Sequence, residues 1–209
     1  MSQDALAHFF QRYHASWQQS LGQDPVSEQT EQGPALTGRD DQGRALWQAH
    51  HRTKPGQFDN VAEALELTLH PALTEFYGHY FAGHLAFDAP FGRGELLQPW
   101  NQADFEYLQE NLIGHLLMKR KLKQPPTLFI GVVGEGMLVL DNADGSVWLE
   151  VPGQEPHQRV ADSVAALLSE LTPCAELPKA APEPDQAPST GFWARVKTMV
   201  SHLMPKSRR

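Results

Sequence analysis

The sequence is short of three things, and each shortage closes off a class of protein. It has one cysteine, Cys174, in 209 residues, so it forms no internal disulfide and no multi-cysteine zinc or iron–sulfur site. No run reaches the roughly 20 consecutive apolar residues that a membrane-spanning helix needs, and the start, MSQDALAHFFQRYHASW, lacks a basic region followed by an apolar stretch. A protein of the reducing cytosol is expected. Positive charge is the third shortage: 17 Lys and Arg stand against 25 Asp and Glu, a formal net charge of −8. Nucleic-acid binders draw much of their affinity from Lys and Arg on phosphates, so no nucleic-acid partner is expected and a basic partner is favoured.

What is present describes a folded chain. Hydrophobic residues make up 41% of it and there are five Trp, a composition that supports a buried core. The length suits one domain plus an appendage.

Leu6, Phe9, Phe10, Tyr13 and Trp17 recur at three-and-four spacing, which predicts an amphipathic helix over residues 3–20. Residues 22–43 are polar and turn-rich and read as loop, and Arg44–His51 reads as a strand. A helix from about Asn60 is interrupted at Pro71 and followed by a short helix carrying Phe76, Tyr77 and Phe81. HLAFDAP and GELLQPW read as two strands. NQADFEYLQENLIGHLLMKRKLK is the clearest helix, with Asn101 as its cap, Phe105, Leu108, Leu112 and Leu116 along one face, and the cations of KRKLK suited to its C-terminal dipole. TLFIGVV, MLVLDN and SVWLEV read as strands, with NADG as a hairpin signal between the last two. RVADSVAALLSEL closes this part as a helix. Clustered strands joined by hairpins predict an α+β fold on a mostly antiparallel sheet flanked by helices.

The search for chemistry returns little. Ten histidines invite a metal site, but His50 and His51 are adjacent and His79 and His84 are five apart, neither being the spacing of convergent ligands. Asp104, Asn111 and His115 lie along one flank of the clear helix. They suit acid–base work, yet no nucleophile accompanies them, and buried polar groups tying the helix to a strand are the favoured reading. The glycines of GEGMLVLDNADG lack the G-K-[ST] of a phosphate loop, so Gly134 and Gly136 read as turn residues. Carboxylates are the more telling feature. Glu63, Glu66, Glu95, Asp104, Glu106 and Glu110 concentrate in the middle of the chain and are the candidate residues of an acidic surface that steers a Lys/Arg-rich partner.

FYGHYFAG, followed by LLQPWNQADFEYLQENLIGHLLMKRKLKQPPTLFIG, resembles the central region of the Syd family of SecY-interacting proteins. The resemblance supports residues 1–173 as one globular domain. It implies an α/β fold in the broad sense, within the superfamily that includes toxin-immunity proteins. It further implies reversible docking of an acidic concave surface on the basic cytoplasmic loops of SecY in the SecYEG translocon, to monitor or modulate its assembly. No catalytic residues and no cofactors come with the resemblance. Where the family tends to place an acid after FAG, this chain has His84, which implies a less acidic or pH-dependent groove at that point. Cytoplasmic loops of membrane proteins carry excess Lys and Arg, so an acidic body is their natural complement. The alternative within the same superfamily is an immunity-type protein that neutralises a basic toxin, and a hydrolase using Asp104 and His115 is a second alternative.

The chain ends unlike its body. Residues 1–174 hold 22 acidic and 11 basic residues, whereas residues 190–209 hold five basic and no acidic ones. Residues 174–189 are Pro-rich and read as a linker. Beyond it Phe192, Trp193, Val196, Met199, Val200 and Leu203 fall on one helical arc, flanked by Arg195 and Lys197, as in an in-plane anchor on an anionic membrane surface. A peripheral location on the cytoplasmic side of a bacterial inner membrane follows from the two readings together.

Overall fold

The computed structural model describes residues 2–177; the remainder of the predicted linker and the amphipathic tail lie outside the described residues. Helix α1 (Ser2–Leu21) buries Leu6, Phe9, Phe10, Tyr13 and Trp17, the predicted stripe. It stops at Gly22, whose φ of 66° suits a residue without Cβ and whose N–H donates to Gln18 O at 3.1 Å.

The segment 22–43 is more ordered than the predicted loop. It contributes β1 (Val26–Ser27) and β2 (Leu36–Arg39), which flank β3 (Ala45–Trp47) in a three-stranded sheet. These strands are too short for alternation to show among their turn residues. The single strand expected over Arg44–His51 is two, because β4 (His50–His51) leaves β3 to pair with β5 (Tyr80–Phe81). Phe81 therefore belongs to a strand rather than to the helix after Pro71.

Helix α2 (Asp59–Leu65) ends at Glu66 in the left-handed region, and α3 (Ala72–Tyr77) starts directly after Pro71. This is the predicted helix, interruption and short helix. Helix α4 (Gln102–Lys121) starts at Asn101, whose side-chain oxygen accepts from Asp104 N–H at 2.9 Å, the expected cap.

The main sheet has seven strands, in the order β11-β10-β9-β8-β7-β6-β12, and every neighbouring pair is antiparallel. Its strands are β6 (Leu85–Ala89), β7 (Gly92–Leu96), β8 (Thr127–Val133), β9 (Gly136–Asp141), β10 (Val147–Glu150), β11 (Gln158–Ala161) and β12 (Thr172–Pro173). Gly136 opens β9 instead of lying in the turn. Arg159 and Val160, expected in the last helix, form β11. That helix, α5 (Val164–Glu170), begins only after Ser163, whose Oγ accepts from Ala166 N–H. The mixed α+β fold with an antiparallel sheet is as predicted.

Aromatic packing holds α1 to the small sheet. Tyr13 stacks on Trp47 with ring centroids 5.9 Å apart, and Phe10 meets the same indole edge-on at 6.4 Å. Trp17, Trp47 and Trp100 are fully buried; burying one large apolar side chain stabilises by roughly 1.5–3 kcal/mol. The glycine of the FAG triplet belongs to this packing. A Cβ on Gly83 would stand 2.5 Å from the Trp47 indole, so only glycine lets the backbone pass.

Candidate functional site

Helix α4 is the element around which the candidate residues are arranged. Phe105, Leu108, Leu112 and Leu116 face the core, which leaves Glu106 and Glu110 exposed on the other side. Helix α2 packs along α4, with Val61 and Leu65 buried and Phe58 meeting Phe105 edge-on at 5.1 Å. Glu63 of α2 and Glu66, at its C-terminal cap, are exposed as well. Two packed helices thus present four solvated carboxylates, an arrangement whose summed field attracts cations without any one pair dominating.

Asp104 is half-buried at the start of α4, where it accepts from Trp100 N–H at 2.9 Å. It lines a cleft of about 310 Å³ together with Glu31, Trp100, Asn101 and Tyr107. Glu31 was not singled out in the sequence, because it sits in a segment read as loop. The fold brings it here by hydrogen bonds: Trp100 Nε1 donates to Glu31 O at 3.1 Å, and Asn101 Nδ2 to Gln32 O at 3.3 Å. Gly33 lies against the same indole, with no room for a Cβ. Glu95 is placed elsewhere, half-buried on β7, with His84 Nδ1 3.8 Å from its carboxylate.

The Asp104, Asn111 and His115 stripe does not converge. Asp104 serves the start of the helix, and Asn111 donates to Tyr107 O at 2.8 Å within it. His115 points into a buried polar network. There Lys119 Nζ lies 2.9 Å from Glu150 Oε2, the Thr127 hydroxyl donates to the same oxygen at 2.8 Å, and His115 Nε2 is 3.0 Å from Thr127 Oγ1. Because the single hydroxyl proton goes to the carboxylate, Nε2 of His115 carries a proton and donates to Thr127 Oγ1. Burial, reinforced by the Lys119 charge, pushes the His115 pKa down to about 3. Burial raises that of Glu150, and Lys119 and Thr127 work against the rise.

This network ties the end of α4 to β8 and β10, which is the structural role favoured for His115. Lys119, the first of the KRKLK cations at the C-terminal end of α4, is thereby buried. Among the described residues no group of three or more His, Cys, Asp or Glu is placed to hold a metal ion. No described helix is long and apolar enough to cross a membrane.

Residues 3–173 match the family described as Syd protein (SUKH-2). Proteins named Protein Syd are similar over nearly the whole chain. The one from Shewanella loihica is 48% identical over 215 residues, covering 97% of each chain. That from Shewanella pealeana is 44% identical over 209 residues, covering 97% of this chain and 98% of its own. Such coverage leaves too few residues over to omit 174–209, so these similarities run beyond residue 173 into the C-terminal segment.

Proposed function

Because the chain belongs to the Syd family, we propose that it is a non-enzymatic protein that docks on basic cytoplasmic loops of the SecY translocon through the acidic surface of α2 and α4, monitoring or modulating SecYEG assembly. The observation that carries this reading is the set of four exposed carboxylates, Glu63, Glu66, Glu106 and Glu110, on two packed helices. Asp104 and Glu31 extend that surface into the cleft at the start of α4. Clustered carboxylates on a rigid scaffold meet Lys/Arg-rich loops by long-range attraction, which speeds encounter and fixes orientation. In this reading Glu95 beside His84 is a peripheral part of the surface.

The reading divides the chain into a recognition body (residues 1–173), a linker (174–189) and a basic amphipathic tail (190–209). Phe192, Trp193, Val196, Met199, Val200 and Leu203, with Arg195 and Lys197, hold the tail in the interface of an anionic membrane. Similarity that continues into this segment in the Shewanella proteins supports a role for it. A tethered body meets SecY at a raised effective concentration, and the protein is peripheral on the cytoplasmic side of the inner membrane.

Retention of detergent-purified SecYEG by the immobilised full chain tests the acidic surface. The native chain retains the complex, and Glu106→Lys/Glu110→Lys, both on exposed positions, loses at least about tenfold in affinity. Equal retention by the two chains rejects this surface.

A further inference from the structure

Among the described residues, the exposed large hydrophobic side chains are Leu21, Leu117, Leu122, Val151 and Leu177. Three of the five belong to one end of the body. Leu117, 45% exposed, is in the last turns of α4, and Leu122, 43% exposed, follows its end. Val151 opens the turn after β10. That turn is fastened to the same end of α4 by Gln124 Nε2 donating to Gly153 O at 3.1 Å and by Lys119 Nζ donating to Gln154 O at 3.3 Å. Exposed leucines scattered singly need no explanation, whereas a group at one end marks a contact surface.

The same end carries exposed Arg120, Lys121 and Lys123. Arg120 reaches back to Leu65 O. Among the described residues Lys121 and Lys123 have no ion-pair partner. The acidic neighbours at this end are Glu66, after α2, and Glu155, beyond the fastened turn. In a body with twice as many acids as bases, this is a concentration of opposite sign, and it coincides with the apolar group.

We infer that this end of α4, with Leu117, Leu122, Lys121 and Lys123, is a lipid-contact surface for an anionic bilayer, separate from the tail and from Glu106 and Glu110 farther back along α4. Leucines suit the boundary between headgroup and acyl chain, and lysine stems can lie along it with their ammonium groups at the phosphates. Charge geometry favours a bilayer for an otherwise acidic body. The exposed stripe of α4 runs Glu106, Glu110, Leu117, Lys121. At 1.5 Å per residue, Glu106 stands about 22 Å along the axis from Lys121. With the Leu–Lys end on lipid, Glu106 and Glu110 are held well beyond the screening length of about 8 Å at physiological salt, so they do not cancel the attraction, and Glu66 is the one acid of the proposed SecY surface that stays near this end. The same posture raises the acidic surface to meet loops that protrude from the membrane.

The test uses vesicles without translocon, so it is independent of the SecY reading. A full chain with Leu122→Cys in a Cys174→Ser background carries an environment-sensitive fluorophore, and a second carries it at Asp162→Cys, an exposed position before α5. With phosphatidylglycerol-containing vesicles, the label at 122 shifts to the blue and is shielded from aqueous quencher, while the label at 162 is unchanged. Phosphatidylcholine vesicles produce neither change. In the unlabelled chain, Lys121→Glu/Lys123→Glu weakens binding to the anionic vesicles by at least about fivefold. No shift at 122, equal shifts at both sites, or binding of the charge-reversed chain within about twofold of native overturns the inference. So does a shift at 122 that grows with protein concentration without lipid, which identifies a second copy as the occupant.

Discussion

Lys119 Nζ and Glu150 Oε2 are 2.9 Å apart, and their side chains are 1% and 0% exposed. The pair joins the last turn of α4 to the end of β10; Gln154 O accepts a further bond from Lys119 and the Thr127 hydroxyl donates one to Glu150 Oε2, while Glu150 Oε1 is buried without a hydrogen-bond partner among the described residues. Removing one member leaves the other charge buried and unmatched, so Lys119→Met alone or Glu150→Leu alone costs about 3–5 kcal/mol. The double substitution costs less than either single one, because two apolar side chains of similar size replace two ions. Urea denaturation of the three variants checks this; a double variant at the sum of the singles contradicts it.

His115 makes acid stability predictable in sign. Its folded pKa of about 3 lies below the ordinary 6.5, so between those values the unfolded chain binds the extra proton. Stability is full above about pH 6.5 and falls toward pH 3, by about 1.4 kcal/mol per pH unit from this group. His14 and His79, also lowered chiefly by burial, act in the same sense. Glu150, raised by burial, acts in the opposite sense just above pH 4.5. Comparing native chain with His115→Gln isolates the one term: the variant's unfolding free energy should depend less steeply on pH near pH 5. Parallel pH profiles would refute the neutral, buried assignment.

Two glycines of the same signature region should respond oppositely to alanine. At Gly83 the added Cβ would press on the Trp47 indole at 2.5 Å, and Gly83→Ala should destabilise by about 1–3 kcal/mol. At Gly114, inside α4, the Cβ meets nothing within 4 Å, so Gly114→Ala should stabilise by about 0.5–1 kcal/mol. Thermal melts of both variants decide it; a Gly83→Ala chain as stable as native, or a destabilised Gly114→Ala chain, would contradict the packing at that position.

For the tail, ending the chain after Pro188 should lower binding to empty anionic vesicles by at least about tenfold, given five basic residues and an apolar arc removed together. Unchanged vesicle binding would exclude the tail as an anchor.

The long elements were legible because their periodicity was strong. The stripes of α1 and α4 named their own buried faces, and the Asn101 cap and the helix break at Pro71 were local chemistry. The short edge elements were not. Val26–Ser27 and Leu36–Arg39 are strands only because Ala45–Trp47 lies between them, and Gln158–Ala161 because β10 is there to pair with it. Lys119 shows the same limit at the level of a single side chain. Nothing in KRKLK distinguishes its first cation from the others until β10 brings Glu150 alongside. Of the candidate carboxylates, the exposed positions of Glu106 and Glu110 followed from the helical period. Glu31 was reachable only through the contact of its loop with Trp100.

Salt dependence of binding to SecYEG proteoliposomes, measured beside matched empty anionic liposomes, tests the central claim most directly. The account predicts co-sedimentation well above the empty-liposome level, with the SecYEG-dependent excess falling steeply as salt rises and absent for Glu106→Lys/Glu110→Lys. Equal binding to both vesicle types at every salt concentration would contradict it.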